Sequence, residues 1–216
     1  MKRIAFYGGS FDPVHNGHLA VAQSLMVQFS LDEFVFIPAY HAPHKSRKRP
    51  TSAYDRYAML FLATDHDERI TVSKMEIEAP ERPFTVETLT TLNARLSDTQ
   101  IFFVMGADSW MDITTWREWE SVLSLSNHIV VTRPGNKIAF DHVTDEIRKR
   151  IIDLREGANK YVASEISTRQ IYITDAVFMD ISATDIRGRI HSGEPSWRND
   201  VLPEVAKHIE KYQIYS

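Results

Sequence analysis

Short apolar runs alternate with segments of helical period along this chain, and that alternation restricts its fold more than any other feature. Ile4 to Tyr7, Phe34 to Ile37, Gln100 to Met105, His128 to Thr132 and Gln170 to Ile173 are continuous apolar runs, not apolar–polar alternations. Strands of that kind are covered on both faces. Between them, Leu19, Ala22, Leu25, Met26 and Phe29 recur at helical spacing, as do Tyr57, Leu60 and Phe61, and then Val86, Leu89, Leu92 and Leu96. Buried strands alternating with helices predict an α/β fold: a mostly parallel sheet with helices on both sides. Ile70 to Ser73 reads as a weaker strand, Asp145 to Arg155 as a charged helix and Val177 to Met179 as a late strand. Thr184 to His191 and Pro203 to Tyr212 read as closing helices. With no linker, repeat or low-complexity tract, residues 1–216 are expected to form a single domain with a small C-terminal helical part. The stretch 136–168 carries no motif.

The balance of charge narrows the function. A formal net charge of −4 argues against a general nucleic-acid binder, which needs broad phosphate neutralisation. Any anionic substrate must be met by local positive charge instead. The chain contains no cysteine, which excludes disulfides, thiolate metal sites and cysteine nucleophiles. No apolar segment has the length of a membrane span, and no signal-peptide pattern follows Met1. The expectation is a cytoplasmic protein with small-molecule partners, no nucleic acid and no membrane; the oligomeric state is not legible.

That local charge is found directly after the first strand. Gly8-Gly9-Ser10 ends the strand, and His15-Asn16-Gly17-His18 opens the next helix. Glycines allow close backbone approach to a ligand, a helix N-terminus offers unpaired N–H groups and partial positive charge, and His15 and His18 lie one turn apart. These features together suit a polyphosphate. The spacing is neither a GxxxxGK-S/T P-loop nor a GxGxxG dinucleotide turn. A metal site at His15 and His18 lacks a recognisable third ligand in the sequence.

Five further segments are candidates. Lys45, Arg47, Lys48 and Arg49 crowd a polar loop after the second strand. Thr85 stands where a helix begins and can either cap it or bind a ligand. Asp108, after Gly106 at the end of the strongest strand, can accept from ribose hydroxyls or cap a turn. Trp116 and Trp119 are three apart, which on a helix usually means core. Near the C-terminus, Ser182, Thr184 and Arg187 make a second helix N-terminus with hydroxyls and a cation, another anion site.

Gly8-Gly9-Ser10-Phe11-Asp12-Pro13-Val14-His15-Asn16-Gly17-His18-Leu19 resembles the GG-S/T-FDPxHxGHL signature of the bacterial nicotinate-nucleotide adenylyltransferases, members of the HxGH nucleotidyltransferase superfamily. Ile181-Ser182-Ala183-Thr184-Asp185-Ile186-Arg187 resembles the family's ISSTxIR motif, with Ala183 where the second serine stands. The resemblance runs nearly the whole length and implies a Rossmann-like, doubly wound parallel sheet. It also implies transfer of AMP from ATP to the 5′-phosphate of nicotinate mononucleotide, giving nicotinate adenine dinucleotide and pyrophosphate. His18, His15, Lys45 and Arg187 would carry catalysis. Gly8, Gly9, Ser10, Phe11, His15, His18, Gly106, Asp108, Ser182, Thr184 and Arg187 would hold ATP. Ser10, Lys45, Thr85, Asp108, Trp116 and Arg133 would hold the acceptor mononucleotide. Mg²⁺ would arrive on the ATP phosphates with no direct protein ligand. The alternatives are nicotinamide mononucleotide as acceptor, dual specificity, a phosphopantetheine acceptor, or a non-catalytic nucleotide sensor.

Overall fold

The computed structural model describes residues 1–40, 51–81, 83–132, 138–155, 169–175, 179 and 181–215. Seven strands are present among them: β1 (Lys2–Gly9), β2 (Glu33–Pro38), β3 (Ile70–Val72), β4 (Thr99–Gly106), β5 (Asn127–Val131), β6 (Ile151–Asp153) and β7 (Ile171–Thr174). They form one sheet in the order β3-β2-β1-β4-β5-β7-β6, with every pair parallel. The helices are α1 (Asn16–Gln28), α2 (Ala53–Thr64), α3 (Thr85–Arg95), α4 (Ala107–Met111), α5 (Trp119–Leu125), α6 (Asp145–Arg148), α7 (Ala183–His191) and α8 (Pro203–Tyr212). The doubly wound α/β architecture expected from the sequence is the one observed.

The continuous apolar runs do what their pattern requires, because alternate residues feed opposite faces of the sheet. Ala5, Phe34, Phe36, Phe102, Val104, Ile129 and Tyr172 point to one side, where Val21, Leu25, Met59, Leu60, Ile186, Val205 and Ile209 from α1, α2, α7 and α8 cover them. Ile4, Phe6, Val35, Ile37, Phe103, Met105 and Val130 point to the other, beneath Val86, Leu89, Leu92, Val122 and Leu123 from α3 and α5. Each fully buried aliphatic or aromatic side chain contributes about 1.5–3 kcal/mol, so the two faces together dominate the stability. Trp110 is fully buried beside the second face, its indole N–H donating to the Ala139 carbonyl at 2.9 Å.

One sequence expectation is corrected. Asp145 to Arg155 is not one helix: α6 stops at Arg148, and Ile151–Asp153 is the edge strand β6, parallel to β7. The adjacent β-branched residues Ile151 and Ile152 cannot both sit on one narrow helix face, whereas a strand edge accepts them. The expected strand Val177 to Met179 lies mostly outside the described residues. Among the described residues, no helix is long and apolar enough to cross a membrane.

The chain leaves β1 toward β2 and β3, and leaves β4 toward β5 on the opposite side. The strand order therefore reverses between β1 and β4, and loops diverging from their carboxyl ends open a crevice there.

Candidate active site

A cavity of about 330 Å³ occupies that crevice. Tyr7 and Ser10 line it from β1 and the turn beyond, Gly106, Ala107 and Asp108 from the end of β4, and Val131 and Thr132 from the end of β5. Two helix N-termini face it: α1 with His15, Gly17 and His18, and α7 with Ser182, Ala183 and Thr184, followed by Arg187. Met179 and Ile181 add apolar wall.

The α1 corner is tightly constructed. His15 is the N-cap residue with extended backbone and is only 8% exposed. Its backbone N–H donates to Nδ1 of His18 at 3.3 Å, and the two imidazoles stack with centroids 3.7 Å apart and 26° between planes. Because Nδ1 of His18 accepts, the proton of the neutral ring sits on Nε2, which makes that nitrogen a donor. Gly17 is dictated by this stack: a Cβ there would lie 3.1 Å from Nδ1 of His15. Phe11 takes a left-handed φ of 47° and is 2% exposed. A Cβ on Gly9 would lie 2.8 Å from the Phe11 ring, so Gly9 makes room for that ring. The ring in turn meets His18 edge-on at 5.0 Å and Tyr7 at 5.2 Å. Burial pushes the Tyr7 phenol up to about 12, so it is a permanent donor near neutral pH.

The α7 corner is looser. Ser182 is the N-cap residue of α7 and makes no side-chain cap bond, and both Ser182 and Thr184 are exposed. Arg187 reaches back across the cavity, donating to the Asp12 carbonyl at 2.6 Å and to Oγ1 of Thr184 at 3.2 Å. Buried Ile186 anchors the helix below.

The structure thus gathers Ser10, His15, His18, Gly106, Asp108, Ser182, Thr184 and Arg187 around one space. Asp108 is exposed in the first turn of α4, whose N-cap residue is Gly106, so the capping role considered for Asp108 does not apply. Gly8, Gly9 and Phe11 are not among the lining residues; Gly9 and Phe11 act by packing. Thr85 and Trp116 lie outside this cavity as well. Thr85 is the first residue of α3 and does not cap it; Glu87 does, accepting the Phe84 N–H at 2.8 Å. Trp116 and Trp119 do not share a helix. Trp116 ends a 3-10 turn in extended conformation, and Glu118 at φ 51° then starts α5 in a new direction. Arg117 ties this bend to α3, its guanidinium 4.8 Å over the Phe84 ring and 3.7 Å from Glu87. Lys45 and Arg133 lie outside the described residues, as do Arg47, Lys48 and Arg49.

One lining residue and two residues that support the site gave no motif. Thr132 is reached only through strand order, since β5 lies next to β4. Arg56 had a faint signal, an arginine on the same apolar helix face as Met59, Leu60 and Ala63. It is 1% exposed and donates to the carbonyls of Ser10 (2.6 Å), Ala39 (2.7 Å), Tyr40 (3.3 Å) and Thr51 (3.1 Å). Tyr215 had none.

Comparison with known proteins now bears on this geometry. Residues 6–189 match the family model described as cytidylyltransferase-like. The chain is 36% identical to a protein of Clostridium kluyveri over the whole of both chains. It is also 33% identical to one of Corynebacterium jeikeium, across 96% of this chain and 98% of that one. Both carry the name probable nicotinate-nucleotide adenylyltransferase. Among solved structures, the Plasmodium falciparum nicotinic acid mononucleotide adenylyltransferase complexed with NaAD superposes with a TM-score of 0.74. That match has 20% identity and covers 100% of this chain and 98% of that one, a likeness of fold. With its two signatures facing one cavity at the switch point of a parallel sheet, the chain belongs to the cytidylyltransferase-like family and, within it, to the nicotinate-nucleotide adenylyltransferases.

Proposed function

We propose that the protein transfers the adenylyl group of ATP to the 5′-phosphate of nicotinate mononucleotide, releasing pyrophosphate. The observation that carries this reading is the convergence of two helix N-termini, α1 and α7, with two histidines and an arginine on one cavity. Such a site offers donors to a chain of phosphates from both ends. An oxygen of the acceptor phosphate attacks the α-phosphorus of ATP, the bond from that phosphorus to the α–β bridging oxygen breaks, and pyrophosphate departs. A phosphate monoester is itself a nucleophile at neutral pH, so the protein contributes alignment and charge stabilisation.

His18 donates from Nε2 to the phosphate that gains charge in the transition state, and His15, stacked on it, holds the ring and meets the triphosphate. Arg187, with Ser182 and Thr184, steadies the departing pyrophosphate, together with Lys45 of the basic loop. Asp108 accepts from ribose hydroxyls. Thr85 and Trp116, brought near one another by the Arg117 clasp, serve the acceptor nucleotide with Arg133. Among the described residues no group of three carboxylates or histidines is placed to hold a metal. Magnesium would arrive on the phosphates of ATP, where it would neutralise charge. Pyrophosphate release from ATP and Mg²⁺ with nicotinate mononucleotide, nicotinamide mononucleotide and phosphopantetheine in turn tests the reading. Turnover should be fastest with the first, and no turnover with it overturns the assignment.

A further inference from the structure

Below the floor of the cavity lies a polar cluster that the reaction as written does not use. Asp12 is 9% exposed and does not line the cavity. Its Oδ1 accepts from the Tyr215 hydroxyl at 2.5 Å, and its Oδ2 accepts from the Thr51 N–H at 3.5 Å. The Asp12 carbonyl, on the same residue, is the acceptor for Arg187 at 2.6 Å. Buried Arg56 closes the cluster from α2, bonded to the carbonyl of Ser10 two residues upstream. Asp12, between Ser10 and His15, is therefore tied to Thr51 ahead of α2, to Arg187 of α7 and to the C-terminal tail.

The tail is bent to reach it. α8 ends at Gln213 with φ 52°, Ile214 buries itself in the core, and Tyr215 takes φ 72°. Two left-handed, non-glycine residues within three positions cost energy, and the hydrogen bond to Asp12 is what this path delivers. Burial and the neighbouring Asp12 charge hold the Tyr215 phenol far above its usual range, so it remains a donor at any working pH.

We infer that Tyr215 is a positioning residue for the phosphate site: its hydroxyl, through Asp12, fixes the segment from Ser10 to His15 and the carbonyl that orients Arg187. This rests on the function proposed above, where Ser10, His15 and Arg187 meet phosphates. A purely structural tail would lend stability only. A positioning tail alters alignment in the transition state, and misplacement of that kind lowers kcat more than it raises KM.

The test compares Tyr215→Phe, which removes one oxygen, with Ile209→Ala, which loosens α8 from the core without touching the cluster. Both are assayed by pyrophosphate release well below their melting temperatures and by hydrogen exchange of the backbone amides. Tyr215→Phe should lower kcat about tenfold, leave KM for the mononucleotide within twofold, and speed exchange across residues 10–15. Ile209→Ala should melt at an equal or lower temperature yet keep kcat and the exchange of that segment. Asp12→Ala combined with Tyr215→Phe should cost little beyond Asp12→Ala alone, because the Tyr215 hydroxyl acts through that carboxylate. Unchanged kcat and unchanged exchange in Tyr215→Phe overturn the inference, as does a loss of kcat that follows melting temperature equally in both variants. A wild-type protein without turnover would instead count against the proposed function, and the exchange experiment would still decide the role of Tyr215.

Discussion

The two corners of the cavity answer the same problem in different ways. Both are helix N-termini turned toward the cavity that the proposed reaction would fill with phosphates. At α1 the histidines are stacked, the N-cap residue is buried, and Gly9 and Gly17 are small because aromatic rings occupy the space a Cβ would need. At α7 the hydroxyls of Ser182 and Thr184 are exposed and Arg187 is aimed by a single backbone carbonyl and a threonine. A dense corner holds its donors within tenths of an ångström, as charge development on the transferring phosphate demands. In the proposed reaction, an open corner would tolerate a group that arrives as triphosphate and leaves as pyrophosphate. On this view the α1 corner governs kcat, and the α7 corner governs binding and release.

The sharpest way to break that division is at His18. Its replacement by Ala removes the Nε2 donor and one half of the stack. Loss of one donor to a developing oxyanion costs about 10²- to 10³-fold in kcat, and a fall of that size is expected here while ATP binding stays measurable by calorimetry. A His18→Ala protein that turns over at a rate near wild type would remove the α1 corner from the chemistry. Arg187→Lys comes next. Lysine keeps the charge but not the planar fork that bonds Asp12 and Thr184 together. About a tenfold fall in kcat/KM for ATP is expected, with more of it in KM than at His18. If kcat alone fell, the two corners would share one function and the contrast between them would dissolve.

How much of this was legible beforehand follows the same contrast. The sheet was readable because five buried strands declare themselves as unbroken apolar runs, and the observed strands differ from those runs by one or two residues at either end. The cavity members in the two signatures were readable because their glycine, hydroxyl, imidazole and guanidinium groups stand at fixed offsets from a helix start. Residues joined only by folding were not. Thr132 lines the cavity because β5 lies next to β4, and no local pattern states strand order. Trp116 and Trp119 looked like one helix face because spacing of three is helical, yet Glu118 at φ 51° breaks the run, and glutamate gives no local cue for that conformation. Ile151 and Ile152 were absorbed into a charged helix because the charge of Asp145 to Arg150 outweighed two apolar neighbours. Tyr215 sits 203 positions from Asp12, and no periodicity reaches that far.

Gly17→Ala sharpens the comparison further, because it separates stability from alignment. Gly17 is the second residue of α1, where alanine gains less over glycine than the ~1 kcal/mol of a helix interior, so the melting temperature should change little. The new Cβ would stand 3.1 Å from Nδ1 of His15, and the ring must yield by a few tenths of an ångström. In a site whose value lies in alignment, kcat is expected to fall about tenfold. Thermal melts and pyrophosphate release on the same preparation check both halves. Full activity would mean that the stack adapts, and that the α1 corner is no more exacting than the α7 corner.

The smallest effect belongs to Ser182→Ala. An N-cap serine ordinarily repays its presence with a side-chain bond to the first turn, and its removal costs about 1 kcal/mol. Ser182 makes no such bond, so its hydroxyl gives the folded chain little and the melting temperature should not move. What remains is one neutral donor to phosphate in an exposed setting, beside Ala183, which supplies no hydroxyl at all. The backbone N–H groups at the start of α7 stay in place whatever side chain Ser182 carries. KM for ATP should therefore rise about two- to threefold, as suits one neutral hydrogen bond, with kcat unchanged. Should kcat instead fall tenfold or more in steady-state assays, the open corner would be holding the transition state as tightly as the closed one, and side-chain exposure would be a poor guide to its role.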